Sequence, residues 1–164
     1  MKEERSREVA ERRINLILSR HILAKIRAHV EGAYPEEACG GLLGLVRDER
    51  AIEVADAVSL ANAREEERRR RYLIGPGAVV ELERRAEAAN VQVVGYYHSH
   101  PDAAPVPSAF DREHAWPWYI YLIVSVENGR MARAEAWRLA DDRRGFISLL
   151  VGDENRATIG TQDR

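Results

Sequence analysis

Two histidines, a serine and an aspartate lie within fourteen residues, His98-Ser99-His100-Pro101-Asp102-Ala103-Ala104-Pro105-Val106-Pro107-Ser108-Ala109-Phe110-Asp111, at the end of an apolar run. Two imidazoles and one carboxylate are the ligands of a catalytic zinc site that keeps its fourth position for water. On a strand, His98 and His100 project from the same face because side chains repeat with period two. Their Cα atoms then lie roughly 6.6 Å apart, within reach of one ion. Pro101 ends the strand, and Pro105 and Pro107 stiffen the loop that follows. Ser108 is a natural helix N-cap with Asp111 in the first helical turn. Folding that turn over the strand end completes a His98, His100, Asp111 set.

Each residue has a plainer reading when taken alone. A histidine at a strand end is ordinarily just polar, and Ser108 with Asp111 is ordinarily a cap. The joint pattern H-x-H-x7-S-x2-D is what points to metal. His114 lies one turn beyond Asp111 and competes as third ligand, although a surface or supporting role suits it better. His21 and His29 belong to the first helix and are expected to face solvent, and Asp102 to sit in the loop. A hydrolytic site also needs a base that is not a ligand. Glu36 and Glu37 are the candidates. Period two sends them to opposite faces, and physics alone does not choose between them. Cys39, in a glycine-flanked apolar run, reads as a packed core cysteine ahead of a thiol nucleophile.

These residues need a scaffold. Residues 14–18 (INLIL) suggest a short strand, and Ser19 caps a helix carrying Ile22, Leu23, Ile26 and Val30 at helical spacing. That helix ends before Tyr34-Pro35. Residues 38–46 read as a buried strand whose glycines permit close approach, 47–50 as a turn and 51–60 as the partner strand. Residues 62–71 are a charged loop. Pro76 opens a second helix to about Asn90, with Val79, Val80, Leu82 and Ala86 on its apolar side. Residues 91–97 form the strand that delivers His98, and 108–114 a short helix. Residues 118–126 (WYIYLIVSV) form the strongest strand, Asn128-Gly129 a hairpin turn, 131–139 its partner and 146–151 a last strand. Strands and helices mix without regular alternation. An α/β (α+β) single domain, a mixed sheet flanked by helices, is the expected fold. It spans 14–151, between a charged tail (1–13) and a polar tail (152–164).

The 164 residues suffice for one domain, and 45% apolar with 32% charged side chains describes a globular protein with a charged surface. A net charge of −2 argues against nucleic acid or anionic membrane as partner. No apolar stretch approaches the roughly 18 residues of a membrane span. Residues 1–13 lack a secretory apolar core. One cysteine excludes an internal disulfide and suits the cytoplasm, the expected location.

Taken together, the sequence resembles the JAMM (MPN-plus) metalloproteases. The match comprises Glu37-Ala38-Cys39-Gly40-Gly41-Leu42-Leu43-Gly44 and Val93-Val94-Gly95-Tyr96-Tyr97-His98-Ser99-His100-Pro101 through Ser108 and Asp111. It spans about residues 14 to 140. The resemblance implies a curved sheet between two main helices, similar to cytidine deaminases in outline. It implies Zn2+ on His98, His100 and Asp111, Glu37 as the base, and Ser108 as a hydrogen-bond donor to the developing oxyanion. Loss of such a donor costs a factor of about 100 to 1000 in rate. The deaminase signature itself is absent.

Members of that family cleave amide or isopeptide bonds after the Gly-Gly tail of ubiquitin or ubiquitin-like proteins. The short bacterial members resemble enzymes acting on small sulfur-carrier proteins. Lacking room for long insertions, this chain is expected to take a ubiquitin-like sulfur carrier, its tail pairing with a strand edge and threading a channel that only glycines pass. Asn62 and the Arg68 to Arg71 run could line that groove, although a solvated surface is the better expectation for the arginines. The competing reading is a non-enzymatic MPN-type interaction module with a structural metal.

Overall fold

The computed structural model describes residues 14–153. In chain order the elements are β1 (Asn15–Ile17), α1 (Arg20–Ala33), β2 (Cys39–Asp48), β3 (Ala51–Leu60), α2 (Pro76–Ala88), β4 (Gln92–Pro101), α3 (Ala109–His114), β5 (Ile120–Glu127), β6 (Arg130–Leu139) and β7 (Phe146–Gly152). The expected tail 1–13, and the part of the expected C-terminal tail from 154 onward, lie outside the described residues.

The mixed sheet of the sequence reading is present, and it curves into a closed barrel in the order β1-β3-β2-β4-β5-β6-β7. The three-residue β1 closes it by pairing in parallel with β3 and β7. The β4–β5 pair is also parallel, and the four remaining pairs are antiparallel. The two predicted hairpins are β2–β3 and β5–β6. Asn128 and Gly129 turn the second with φ of 50° and 80°, which an Asn-Gly pair adopts at little cost.

Period two sorts the core onto two faces of the sheet. Leu42 and Val94 point to the side that receives α1, where all seven strands contribute to one cluster with Ile22, Ile26 and Val30. Their neighbours Leu43 and Val93 point the other way and pack with Leu82 and Ala86 of α2. The glycines of β2 make both contacts possible. A Cβ on Gly40 would collide with the Tyr97 ring, and one on Gly41 with the Leu82 side chain. Ser19 caps α1 as expected, its Oγ accepting from Ile22 N at 3.3 Å.

Strand β4 runs through both histidines and ends at Pro101, as the period-two reading of them requires, because Gly95 to Pro101 pairs with β5 along its whole length. One boundary differs from the sequence reading. Strand β5 begins at Ile120, and Trp118 stands 65% exposed in the approach to it. Leu82 is fully buried between α2 and the sheet. L82A is therefore expected to lower stability by about 2–5 kcal/mol, read as a shift in the urea midpoint by circular dichroism.

Candidate metal centre

The centre forms where β2 and β4 end side by side. Cys39 pairs with His98 across the antiparallel ladder. The pairing continues one step further, Ser99 N donating to Ala38 O at 3.0 Å and Ala38 N to Ser99 Oγ at 2.8 Å. Glu37 is thereby brought to the histidine end of β4. The loop after Pro101 is pinned at several points. Asp102 N donates to Val126 O (2.8 Å), Ser125 Oγ to Ala103 O (2.7 Å) and Trp137 Nε1 to Pro105 O (2.9 Å). It delivers α3 with its capping box complete: Ser108 N and Ser108 Oγ donate to Asp111 Oδ2 at 2.7 and 2.8 Å, and Asp111 N donates to Ser108 Oγ at 3.1 Å.

His98, His100 and Asp111 converge, and they are the only group of this kind placed to hold a metal ion among the described residues. His98 Nε2 lies 3.1 Å from His100 Nε2 and 3.2 Å from Asp111 Oδ1, and His100 Nε2 lies 3.5 Å from Asp111 Oδ2. Tetrahedral zinc ligands held at 2.0–2.1 Å stand about 3.3 Å from one another, the scale of these separations, with each Asp111 oxygen facing one imidazole. The donor chemistry agrees. His100 Nδ1 donates to Ala104 O at 2.8 Å, which leaves Nε2 as the ring nitrogen turned toward the centre. With Oδ2 of Asp111 occupied by Ser108, Oδ1 remains for a cation. The residues present fit zinc.

Electrostatics favour the same arrangement. Burial pushes the Asp111 carboxyl upward, but hydrogen bonds from His100, His98 and Ser108 N outweigh it and hold the group well below the usual carboxylate range. Burial keeps His98 neutral, its pKa lowered from the ordinary value. The two glutamates are separated cleanly. Glu36 forms a surface ion pair with Arg68 Nε at 3.0 Å. Glu37 is buried, and its pKa rises to about 7, chiefly through desolvation. Its carboxyl also feels the charges of His100, Asp111 and Arg71.

A model of prokaryotic homologues of the JAB domain matches residues 19–140. The chain belongs to that family. Two curated desampylases are similar to this JAB domain. The one from Haloferax volcanii is 44% identical over 115 residues, covering 70% of this chain and 79% of its own. The one from Pyrococcus furiosus is 29% identical over 126 residues, covering 77% and 82%. Among solved structures, a Desulfitobacterium hafniense protein superposes with a TM-score of 0.72 at 26% identity. A Salinibacter ruber protein does so at 0.65 and 39% identity. Each comparison covers 86% of this chain and 92% of the other.

The remaining sequence candidates fall outside the His98, His100, Asp111 group. His114 is exposed, with Nδ1 donating to Phe110 O at 2.9 Å and its ring stacked on Phe110. Asp102 accepts from Tyr34 OH and Asn128 N. His21 is exposed as expected, but His29 is not the solvent-facing residue that helical spacing suggested. It is half-buried, with Nδ1 2.7 Å from Tyr97 OH, because α1 lies against the sheet over that position. Cys39 is fully buried and its thiol is pushed up to about 12 by desolvation, which removes it as a nucleophile.

Sequence reasoning missed two neighbours. Ser99 appeared only as the residue between the histidines. Tyr72, at the end of the charged loop, stacks on the His98 ring at 4.6 Å and 27°. It also lines a cleft of about 410 Å3 that runs from Asp111 along Ile74, Phe110, Trp116 and Trp118. An aromatic residue after an arginine run gives no local signal of where its ring will lie.

Burial of Glu37 has a sign that can be tested in chelator-treated protein. A folded-state pKa of about 7, above the ordinary 4.5, means the carboxyl adds stability below pH 4.5 and loses it as pH rises through 7. Glu37→Gln removes this dependence. Metal-free E37Q should gain on wild type between pH 5 and pH 8, by at most about 3 kcal/mol, in urea titrations at both pH values. A gain that shrinks toward pH 8 would contradict the buried charge.

Proposed function

We propose that the protein is a zinc-dependent hydrolase, a metallopeptidase or isopeptidase, that cleaves the amide bond after the C-terminal Gly-Gly of a ubiquitin-like sulfur-carrier protein. The observation that carries this reading is the three-ligand triangle beside a buried glutamate whose pKa lies near neutrality. The names of the two desampylases support a ubiquitin-like modifier adduct as substrate. The cytoplasm is the proposed location; no helix among the described residues is long and apolar enough to cross a membrane.

The chemistry that bound zinc supplies is Lewis acidity, polarising the scissile carbonyl and bringing the pKa of a water to near 7. His98, His100 and Asp111 would hold it. Glu37 accepts the proton of the attacking water and returns it to the leaving amine, a double duty that a pKa near 7 suits. Ser108 Oγ is spent on the capping box in the structure, donating to Asp111 Oδ2. To serve the developing oxyanion, the hydroxyl rotates its hydrogen away from Asp111, while Ser108 N keeps that carboxylate engaged. The aromatic cleft offers the carrier tail a path that ends at Asp111.

Two outcomes test this reading. E37Q should lose at least about a thousandfold in hydrolysis of a carrier adduct, followed by mass, while still binding one zinc per chain. A non-enzymatic module with a structural metal predicts no hydrolysis even for wild type, and equal turnover by E37Q would refute Glu37 as the base. Trp118 is 65% exposed at the cleft mouth. W118A should raise KM for the carrier adduct several-fold with little change in kcat, and should leave short unlinked peptides unaffected.

A further inference from the structure

A ligating histidine is normally held in place by a hydrogen bond from its second ring nitrogen. His100 has one, to Ala104 O. His98 does not: its Nδ1 is buried and has no hydrogen-bond partner among the described residues. What touches the face of its ring is Tyr72, stacked at 4.6 Å with an interplanar angle of 27°. Stacking fixes ring tilt as a hydrogen bond would, and aromatic pairs contribute about 0.5–1.5 kcal/mol beyond their buried area.

The loop that carries Tyr72 is tied to the same end of the sheet. Asn62 Nδ2 donates to Glu37 O (3.2 Å) and Arg71 O (3.1 Å), while Asn62 Oδ1 accepts from Arg64 N and Leu73 N, both at 3.1 Å. Glu37 N donates to Arg68 O at 2.7 Å. One amide side chain therefore fastens both flanks of Tyr72 and the backbone of Glu37.

We infer that Tyr72 is a positioning residue for His98, orienting the metal ligand by ring stacking in place of the missing hydrogen bond, and that Asn62 holds Tyr72 there. The inference rests on the zinc reading of the centre but not on the substrate, so its test reads metal binding. Zinc affinity is measured by competition with a chromophoric chelator, and the cobalt-loaded protein by its visible absorption, for wild type, Y72F, Y72L and N62A. Y72F keeps the ring and should match wild type within about twofold. Y72L should bind zinc about 10- to 100-fold more weakly, with altered cobalt bands. N62A, which leaves the ring but unties the loop, should fall between them. Melting in excess chelator separates a local effect from loss of fold, and the Tyr72–His98 ring contact in the wild-type NMR spectrum is a readout that needs no variant. Y72L with wild-type affinity and an unchanged cobalt spectrum, or absence of that ring contact, overturns the role of Tyr72. N62A equal to wild type beside a weakened Y72L overturns the role of Asn62. A wild type that binds neither metal overturns the zinc reading instead.

Discussion

The register between β2 and β4 is the constraint on which the rest depends. With Cys39 opposite His98, Glu37 and the two imidazoles meet at one end of the ladder. Because side chains alternate, a slip of one residue would turn both histidines to the other face and put Tyr97 in their place. Several features enforce the register at once. Leu42 and Leu43 must each find their own core, Gly40 and Gly41 must meet Tyr97 and Leu82, and Ser99 must meet Ala38 with both backbone and side chain. The same alternation that buries the hydrophobic residues therefore sets the spacing of the centre.

Asp111 arrives by a different route. Its placement depends on a short helix that could not stand alone, since six residues are too few for helical stability in water. The capping box and the pinned proline loop supply what length does not. The carboxylate is thus shared, Oδ2 closing the helix cap beside His100 and Oδ1 facing His98. A residue that caps its own helix is held by local chemistry and needs little help from the core.

What could be read in the sequence follows from the range of the forces involved. The pattern from His98 to Asp111 was legible because strand period, proline stiffness and capping all act within a few residues. The β2–β3 and β5–β6 hairpins were legible for the same reason. Choosing Glu37 over Glu36 needed the resemblance, and burial separates the two only once β2 is placed beside β4. Barrel closure by β1, the contact of His29 with Tyr97, and the stacking of Tyr72 on His98 join residues tens of positions apart. Nothing in their local sequence encodes them. Asn62 sits between these cases: visible as an isolated polar residue before a charge run, it has its meaning only in the four backbone groups it gathers.

Closure of the barrel also brings the first and last described strands together. Strands β1 and β7 are hydrogen-bonded neighbours, with Leu18 N meeting Gly152 O at 2.9 Å, so the first and last strands share one seam. That seam meets β3 at Ala51 to Glu53, while the metal centre gathers at the opposite end of the β2–β3 hairpin, by Cys39 and Leu60. The two lie at opposite ends of the ten-residue β3, which spans roughly 30 Å at the usual rise. The fold is thus nearly circular in connectivity as well as in cross-section.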